Sequence, residues 1–243
     1  MSAVSVIIPV LDEASTIGRL LDCLKVQDCD SRFEVIVVDG GSTDGTRKIV
    51  GSRQNIRLIV SPSGVSRQRN AGAAVASGDL LVFLDADTAP HPDFLRGITR
   101  AYRKLNYAAA CPWFVPATRR PDIHAVYGIL NVLFYLSQFR YHTGAGVCIA
   151  TPRTVFEQVG GFDETLHLGE DVDYLRRAAT VGRHRHLLLP LTTSARRFES
   201  EGVIRTTVFY ARISPALMFG DRDRLRTYQY APVRVVARRG GLQ

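Results

Sequence analysis

Asp85 and Asp87 stand two residues apart, directly after the apolar run 80–84. Such a run is typical of a strand buried on both faces, and side chains two residues apart on an extended chain point the same way. Two carboxylates that project together repel each other. A divalent cation relieves that repulsion, because Mg²⁺ and Mn²⁺ prefer oxygen ligands, often shared with substrate phosphates. The pair therefore indicates a metal site, and the alternative is a pair of surface or helix-capping aspartates.

Residues 38–46, with the sequence VDGGSTDGT, form a second candidate site. Glycines let the backbone approach a ligand, and Asp39 is suited to accept hydrogen bonds from a nucleobase or a ribose. The alternative is a tight turn followed by a helix cap. Neither common nucleotide fingerprint fits, because the sequence has no G-x-x-x-x-G-K-[ST] and no G-x-G-x-x-G between a strand and a helix.

A third acidic segment, GEDVD at 169–173, stands at the start of a predicted helix. A carboxylate exposed at a helix start can act as a general base, which makes Asp171 and Glu170 the candidates. Acidic residues in a first turn also compensate the helix dipole, and that purely structural role is the alternative.

Arginines stand at the start of another predicted helix, in the sequence SRQRNAG at 66–72. Guanidinium groups can bind a diphosphate with two parallel hydrogen bonds, so these arginines are candidates for the nucleotide site. The alternative is a solvated helix face.

The elements that must position these segments alternate between strands and helices. Apolar runs at 4–8, 35–38, 56–60 and 80–84 predict buried strands, and helical patterns lie between them. The order predicts an α/β fold with a Rossmann-like, mainly parallel sheet flanked by helices. Ligands bind at the carboxyl ends of such strands, which selects the loops 9–13, 39–45 and 85–88.

The second half of the chain is less regular. It predicts strands at 107–114 and 147–150, and helices at 123–139, at 170–181 and from Val203 onwards. No linker is evident, so we expect a single domain. Its parts are a donor half of about 1–106, an acceptor half of about 107–220 that carries the catalytic base, and a basic tail at 221–243.

The net charge of +8 is concentrated at the carboxyl end. Residues 183–243 hold 12 arginines and 4 acids, whereas the charges of residues 1–182 cancel. This excess favours contact with phosphorylated ligands or an anionic membrane surface, and the alternative is a solvated basic face. Nucleic acid is not expected as a partner, because no aromatic-rich motif accompanies the arginines.

The expected location is the cytoplasm, and peripheral attachment at the inner face of the membrane is left open. The first residues lack the basic leader of a signal peptide, no apolar run is long enough to span a bilayer, and the four cysteines are scattered. The absence of C-x-x-C pairs disfavours a zinc site, and the absence of G-x-S-x-G disfavours a serine hydrolase.

Taken together and in order, these segments resemble the family 2 glycosyltransferases, which have the GT-A fold. The resemblance covers about residues 4–182. Residues 5–13 are similar to that family's opening strand and P-x-x-[ND]-E loop, and residues 38–46 to its V-D-D-G-S-x-D-G-T motif. The other matching segments are RNAG at 69–72 (R-N-x-G), DAD at 85–87 (D-x-D), GGFDE at 160–164 (G-G-F-D-E) and EDVD at 170–173 (E-D-x-D/E).

The resemblance implies an inverting enzyme that moves a sugar from a nucleoside diphosphate sugar to an acceptor hydroxyl, with Mn²⁺ or Mg²⁺ as cofactor. It places Pro9, Glu13, Asp39 and Arg69 in the nucleotide site, Asp85 facing the ribose or donor sugar and beside the metal, and Asp87 as the principal metal ligand. Asp171 would be the catalytic base, with Glu170 beside it. The acceptor is not specified, and a lipid-linked one is left open.

Two departures from the family pattern stand out. Gly40 replaces the second acid of the usual Asp-Asp, and no Q-x-x-R-W motif is present. A third metal ligand cannot be assigned. Two other functions stay open: a nucleotidyltransferase, although residues 9–13 lack its glycine-rich cationic loop, and a noncatalytic nucleotide-sugar-binding protein on the same fold.

Overall fold

The computed structural model describes residues 3–221, 223 and 225 of the 243-residue chain. An eight-stranded sheet runs through this part, in the order β3-β2-β1-β4-β7-β6-β8-β5. Its strands are β1 (Val4–Val10), β2 (Phe33–Asp39), β3 (Ile56–Val60), β4 (Leu80–Leu84), β5 (Thr88–Pro90), β6 (Ala109–Pro116), β7 (Cys148–Pro152) and β8 (His184–Thr193).

Helices pack on both faces of this sheet. They are α1 (Ile17–Lys25), α2 (Thr46–Gly51), α3 (Val65–Val75), α4 (Phe94–Leu105), α5 (Pro121–Ser137), α6 (Arg153–Gln158), α7 (Glu170–Val181), α8 (Arg196–Glu201) and α9 (Val203–Phe219). Alternate residues of β1 point to opposite faces, so Val6 joins a core with α1 and α4, whereas Ile7 joins a core with α3 and α7. The α/β class predicted from the sequence is confirmed.

The first four strands place the first set of predicted site residues at one edge. β1 runs parallel to β2 and β4, and β2 runs parallel to β3. Val10 is in register with Asp39, and Asp85 follows the last residue of β4. Since parallel strands end on the same side, their carboxyl ends form one edge, as the sequence predicted.

The other strands mix their directions. β7 is antiparallel to β4 and β6, β6 is parallel to β8, and β5 is antiparallel to β8. The short strand β5 begins one residue after Asp87 and pairs through Thr88 with Thr193 at the end of β8. This pairing brings the residues that follow β8 next to the residues that follow β4, although the two segments are far apart in the sequence.

Most predicted elements are present, with boundaries shifted by a few residues. The helix predicted at 170–181 is α7 (Glu170–Val181), and the helix predicted at 123–139 is α5 (Pro121–Ser137). β8 was not predicted, because the polar residues at its start, His184, Arg185 and His186, and Pro190 break the apolar pattern of a strand. None of the helices in the described part of the chain is long and apolar enough to cross a membrane. Apart from residues 221, 223 and 225, the basic tail at 221–243 lies outside the described residues.

Candidate active site

An open cleft of about 1310 Å³ lies at the carboxyl ends of β1 and β4. Its lining includes seven of the eight site residues predicted from the sequence, which are Pro9, Glu13, Arg69, Asp85, Asp87, Glu170 and Asp171. They come from the end of β1 and the loop after it, from the loop after β4, from the middle of α3 and from the start of α7. The fold therefore brings together most of the residues that the motifs singled out.

Arg69 joins the two sides of the cleft. Its side chain is 2% exposed and donates to Asp85 Oδ1 at 3.1 Å and to Glu170 Oε1 at 3.2 Å. It also donates to the carbonyl oxygen of Gly146 at 2.9 Å, and its guanidinium carbon lies 5.1 Å from the centre of the Phe162 ring. Removing one partner from such a buried group leaves an uncompensated charge, which costs about 3–5 kcal/mol. Arg69 thus ties the end of β4 to the start of α7.

Burial raises the pKa of each aspartate that follows β4, and a neighbouring arginine lowers it. Burial raises the pKa of Asp85 to about 6, against the lowering effect of the Arg69 charge, and Asp87 raises it further. Burial also raises the pKa of Asp87, while the charge of Arg196 lowers it. Both carboxylates are therefore protonated more readily than the carboxylate of a free aspartate, and each lies beside an arginine.

Arg196, the first residue of α8, is a cleft residue that the sequence analysis did not single out. Its guanidinium binds Glu13 with two hydrogen bonds of 3.1 and 3.0 Å and binds Asp87 Oδ2 at 2.8 Å. The β5–β8 pairing puts it there, and the backbone N–H of Ser194 donates to the carbonyl oxygen of Asp87 at 3.1 Å. Arg196 is 183 residues from Glu13 in sequence, so no local motif signals the contact.

Glu170 and Asp171 begin α7 on the opposite side of the cleft. Gly169 precedes them with φ +80°, and a Cβ there would lie 2.5 Å from a methyl carbon of Leu217, so this turn requires glycine. The backbone N–H of Val172 donates to Asp171 at 2.8 Å. Burial raises the pKa of Asp171 against the lowering effect of Arg69, and burial with the Asp171 charge raises the pKa of Glu170. A carboxylate with a raised pKa is suited to take a proton near neutral pH.

Asp39 is the predicted nucleotide-site residue that does not line the cleft. Its side chain is buried and accepts hydrogen bonds from the backbone N–H groups of Gly41 and Ser42 and from Nε of Arg47. These partners lower its pKa although burial opposes them. In this structure Asp39 therefore organises the loop 39–45, and its contact with a nucleobase or ribose stays a prediction.

Asn70 connects two of the sequence motifs. Its side-chain amide donates to the carbonyl oxygen of Phe162 at 2.9 Å and accepts from the backbone N–H of Phe162 at 2.9 Å. Phe162 in turn packs edge-on against Phe83 of β4, with ring centres 5.0 Å apart. The RNAG and GGFDE segments thus hold each other in place beside the cleft, and Phe162 also packs against Arg69.

The aspartates fit a divalent cation that is shared with a phosphorylated ligand. Among the residues that the structure describes, no three His, Cys, Asp or Glu side chains group to hold a metal ion. Mg²⁺ and its analogues commonly take only one or two carboxylates and complete their shell with phosphate and water. The arginines use Oδ1 of Asp85 and Oδ2 of Asp87, so each carboxylate has a second oxygen for a cation. A cation at Asp87 would lie close to the positive charge of Arg196.

Known proteins with similar sequences are glycosyltransferases. The chain is 30% identical over 234 residues to a pre-mycofactocin glycosyltransferase of Mycobacterium tuberculosis, a match that covers 91% of this chain and 48% of that protein. It is 31% identical over 188 residues to the glycosyltransferase AglE of Haloferax volcanii, covering 74% of this chain and 62% of that protein. The chain thus spans about half to three fifths of the length of these relatives.

Solved structures with a similar fold include two glycosyltransferases. Residues 1–349 of S. aureus TarS, in complex with UDP, match with a TM-score of 0.65 and 21% identity, over 84% of this chain and 63% of that one. The mannosyltransferase PcManGT of Pyrobaculum calidifontis, in complex with GDP-Man and Mn²⁺, matches with a TM-score of 0.63 and 22% identity, over 88% of this chain and 67% of that one. These likenesses show the GT-A fold.

The family itself is settled by a direct sequence match. Residues 5–158, which include the segments around Glu13, Asp39, Arg69 and Asp87, match the family described as "Glycosyl transferase family 2". This stretch is well over half of the chain, and it agrees with the curated relatives and the fold. The chain therefore belongs to glycosyl transferase family 2.

Proposed function

We propose that the protein transfers a sugar from a nucleoside diphosphate sugar to an acceptor hydroxyl, with inversion at the anomeric carbon and with a divalent cation. The observation that carries this proposal is the buried Arg69, which holds Asp85 after β4 and Glu170 at the start of α7 in one cleft. The same cleft is thus lined by residues suited to bind the donor and by a residue suited to take the proton of the acceptor hydroxyl.

The donor is proposed to bind along the loops after β1 and β4. Pro9, Glu13, Asp39 and Arg69 are assigned to the nucleotide, and Asp85 to the ribose or donor sugar. Two structural neighbours support a nucleoside diphosphate sugar as donor, since TarS was solved with UDP and PcManGT with GDP-Man. In this proposal, about residues 1–106 form the donor half and about 107–220 the acceptor half.

The cation is proposed to be Mn²⁺ or Mg²⁺, with Asp87 as the principal ligand and Asp85 beside it. When bound, it would neutralise charge that develops on the departing diphosphate. The Mn²⁺ in the PcManGT complex supports this choice. Asp87 and Asp85 would hold the cation beside the diphosphate, and Arg69 would keep Asp85 in place.

Asp171 is proposed as the general base, with Glu170 beside it. Its carboxylate removes the proton of the acceptor hydroxyl as that oxygen attacks the anomeric carbon from the face opposite the diphosphate. The new bond forms between this oxygen and the anomeric carbon, the old bond to the diphosphate breaks, and the diphosphate keeps the electron pair. The transition state should be oxocarbenium-like, by analogy with glycoside hydrolysis, and no covalent sugar–enzyme intermediate is needed.

The acceptor is proposed to be lipid-linked or presented at an anionic membrane surface. The support is the positive charge of residues 183–243, which attracts phosphorylated groups. Six of the twelve arginines in this segment, however, lie outside the described residues.

The proposed function can be tested by thermal shift with UDP or GDP in the presence and absence of Mn²⁺ or Mg²⁺. We expect stabilisation only when nucleotide and cation are both present, because each completes the other's site. A second measurement follows nucleotide release from UDP- and GDP-sugars. Binding without any turnover would favour a noncatalytic binding protein, and release of pyrophosphate from a nucleoside triphosphate with a sugar phosphate would favour a nucleotidyltransferase.

A further inference from the structure

The second half of helix α5 has polar residues on its buried side and apolar residues on the outside, whereas Ile123 in its first half is buried. On the buried side, the Asn131 amide pairs with both backbone groups of Phe114, at 2.9 and 2.8 Å, and the Ser137 hydroxyl donates to Thr143 O at 3.0 Å. The outward residues are 50–68% exposed, and they are Ile129, Val132, Leu133, Leu136 and, just after the helix, Phe139. Surface helices normally show the reverse pattern.

Helix α9, which contacts α5, continues this exposed apolar surface. Ile204 is 83% exposed, Val208 43% and Phe219 71%, and their spacing places them along one side of the helix. The ring of Phe219 lies edge-on to Tyr141, with centres 6.1 Å apart, where the chain leaves α5. We call the surface formed by the eight exposed residues, Ile129, Val132, Leu133, Leu136, Phe139, Ile204, Val208 and Phe219, the α5–α9 face.

The charged residues of α9 at this face are positive. Arg205 and Arg212 are exposed, seven residues apart on α9, and follow Ile204 and Ala211 of the apolar side. Neither α9 nor residues 123–137 of α5 contain an acidic residue. Helix α4 differs from α9 in this respect. It carries four basic residues on twelve positions and buries Phe94, but it has no comparable exposed apolar surface. A helix with an apolar side bordered by arginines is typical of a membrane interface.

The face is also continuous with the active-site cleft. Leu133 and Leu136 belong to the face and line the cleft, and Leu217 on α9 lines it from the other side. A partner that covers the face therefore sits at the mouth of the cleft, on the side of Asp171. Apolar exposure alone would suit a second copy or another protein, but the arginines and the missing acids complement an anionic lipid surface.

We propose that the α5–α9 face lies in the interface of an anionic bilayer, with the mouth of the cleft toward the membrane. This inference rests on the proposed membrane contact. It assigns most of that contact to helices α5 and α9 and not to the basic tail at 221–243. The apolar side chains enter the boundary between headgroups and acyl chains, and Arg205 and Arg212 contact lipid phosphates.

The test is co-sedimentation with phosphatidylcholine vesicles, with and without phosphatidylglycerol. A double variant, Ile129→Gln with Val132→Gln, removes apolar contact without touching a residue that lines the cleft. Its matched control is Val26→Gln with Leu188→Gln, which changes two exposed apolar residues, 59% and 76% exposed, away from the face. Thermal unfolding and nucleotide binding of each variant verify that the fold is kept.

We expect wild type and control to bind the anionic vesicles equally, and the face variant to bind about tenfold more weakly or worse. Arg205→Gln with Arg212→Gln should weaken binding to anionic vesicles by about tenfold and leave binding to neutral vesicles unchanged. Wild-type affinity in the face variant would overturn the assignment of the face while leaving a tail contact intact. Lack of binding by wild type would overturn the membrane contact itself, and a dimer lost in the face variant would assign the face to a second copy.

Discussion

The two regions of the molecule, about 1–106 and 107–220, build the cleft in different ways. In the first region Arg69 reaches the cleft from α3, and the acidic cleft residues follow parallel strands, as Glu13 follows β1 and Asp85 follows β4. In the second region they reach the cleft through a helix start, as Asp171 does, or through the return of the chain after β8, as Arg196 does. A parallel sheet collects its strand ends at one edge, whereas mixed strands collect residues only through long-range pairing.

The two regions also differ in the charged residues that they contribute to the cleft. Each acidic residue after β4 is balanced by an arginine from elsewhere, Asp85 by Arg69 and Asp87 by Arg196. In the proposed function, the first region supplies ligands for the donor and cation, and the second region supplies both the proposed base and one of the two balancing charges. The following predictions test this division of roles, beginning with the largest effect.

The base assignment in the second region predicts the largest effect. Asp171→Asn keeps the size of the side chain but cannot take a proton, so kcat should fall about 10²–10⁴-fold while donor affinity stays close to wild type. Single-turnover rates and nucleotide affinity measure the two quantities separately. Asp173→Asn is the matched control, since Asp173 lies on the same helix and pairs with Arg177 at 2.8 Å. Near wild-type turnover in Asp171→Asn would place the base elsewhere.

The cation assignment in the first region predicts a selective loss. Asp87→Ala should remove the cation-dependent part of donor affinity, because the principal ligand is gone. The fold should persist, since Arg196 keeps its two hydrogen bonds to Glu13. Donor affinity with Mn²⁺ and with chelator measures the effect, and chelated wild type should behave like the variant. Asp93→Ala, an exposed aspartate that pairs with His91, is the control. If chelation leaves wild-type turnover unchanged, the cation assignment is wrong.

The raised pKa values predict that turnover depends on pH. Burial raises the pKa of the proposed base, Asp171, above that of an ordinary aspartate. A base must be unprotonated, so kcat should fall about tenfold per pH unit as the pH drops below the pKa of this carboxyl. It should level off as the pH rises above that pKa. The measurement is kcat against pH at saturating donor and cation, and the residual rate of Asp171→Asn should lose this dependence. The same acid limb in that variant would assign the titration to another group.

The balancing charge from the second region predicts the smallest effect. Arg196 bonds Asp87 at 2.8 Å, so a cation at Asp87 must bind against its positive charge. Arg196→Gln should therefore raise Mn²⁺ affinity in the absence of nucleotide, by about tenfold at a partly exposed site. Electron paramagnetic resonance of free Mn²⁺ measures it directly. Arg197→Gln removes the same charge from the same cleft but from a residue that pairs with Glu201. An equal gain in Mn²⁺ affinity in both variants would mean that the effect comes from the overall charge of the cleft and not from the contact between Arg196 and Asp87.

Several features of the first region were predictable from the sequence because their signals are local. A run of five apolar residues predicts a buried strand, and β4 occupies the predicted range 80–84. The acids that follow such a strand fall at the ligand-binding edge, which placed Asp85 and Asp87 correctly in the cleft.

What the sequence by itself determined is the α/β order of elements, the family, and seven of the residues that line the cleft, since each depends on neighbours along the chain. Only the tertiary structure decided which charges meet. The pairing of β5 with β8 brings Arg196 to Asp87 across 109 residues, and the burial of Arg69 joins Asp85 to Glu170 across the cleft. It also decided that α5 turns its apolar side outward. Contacts of this kind depend on packing between distant segments, which no local pattern of residue types encodes.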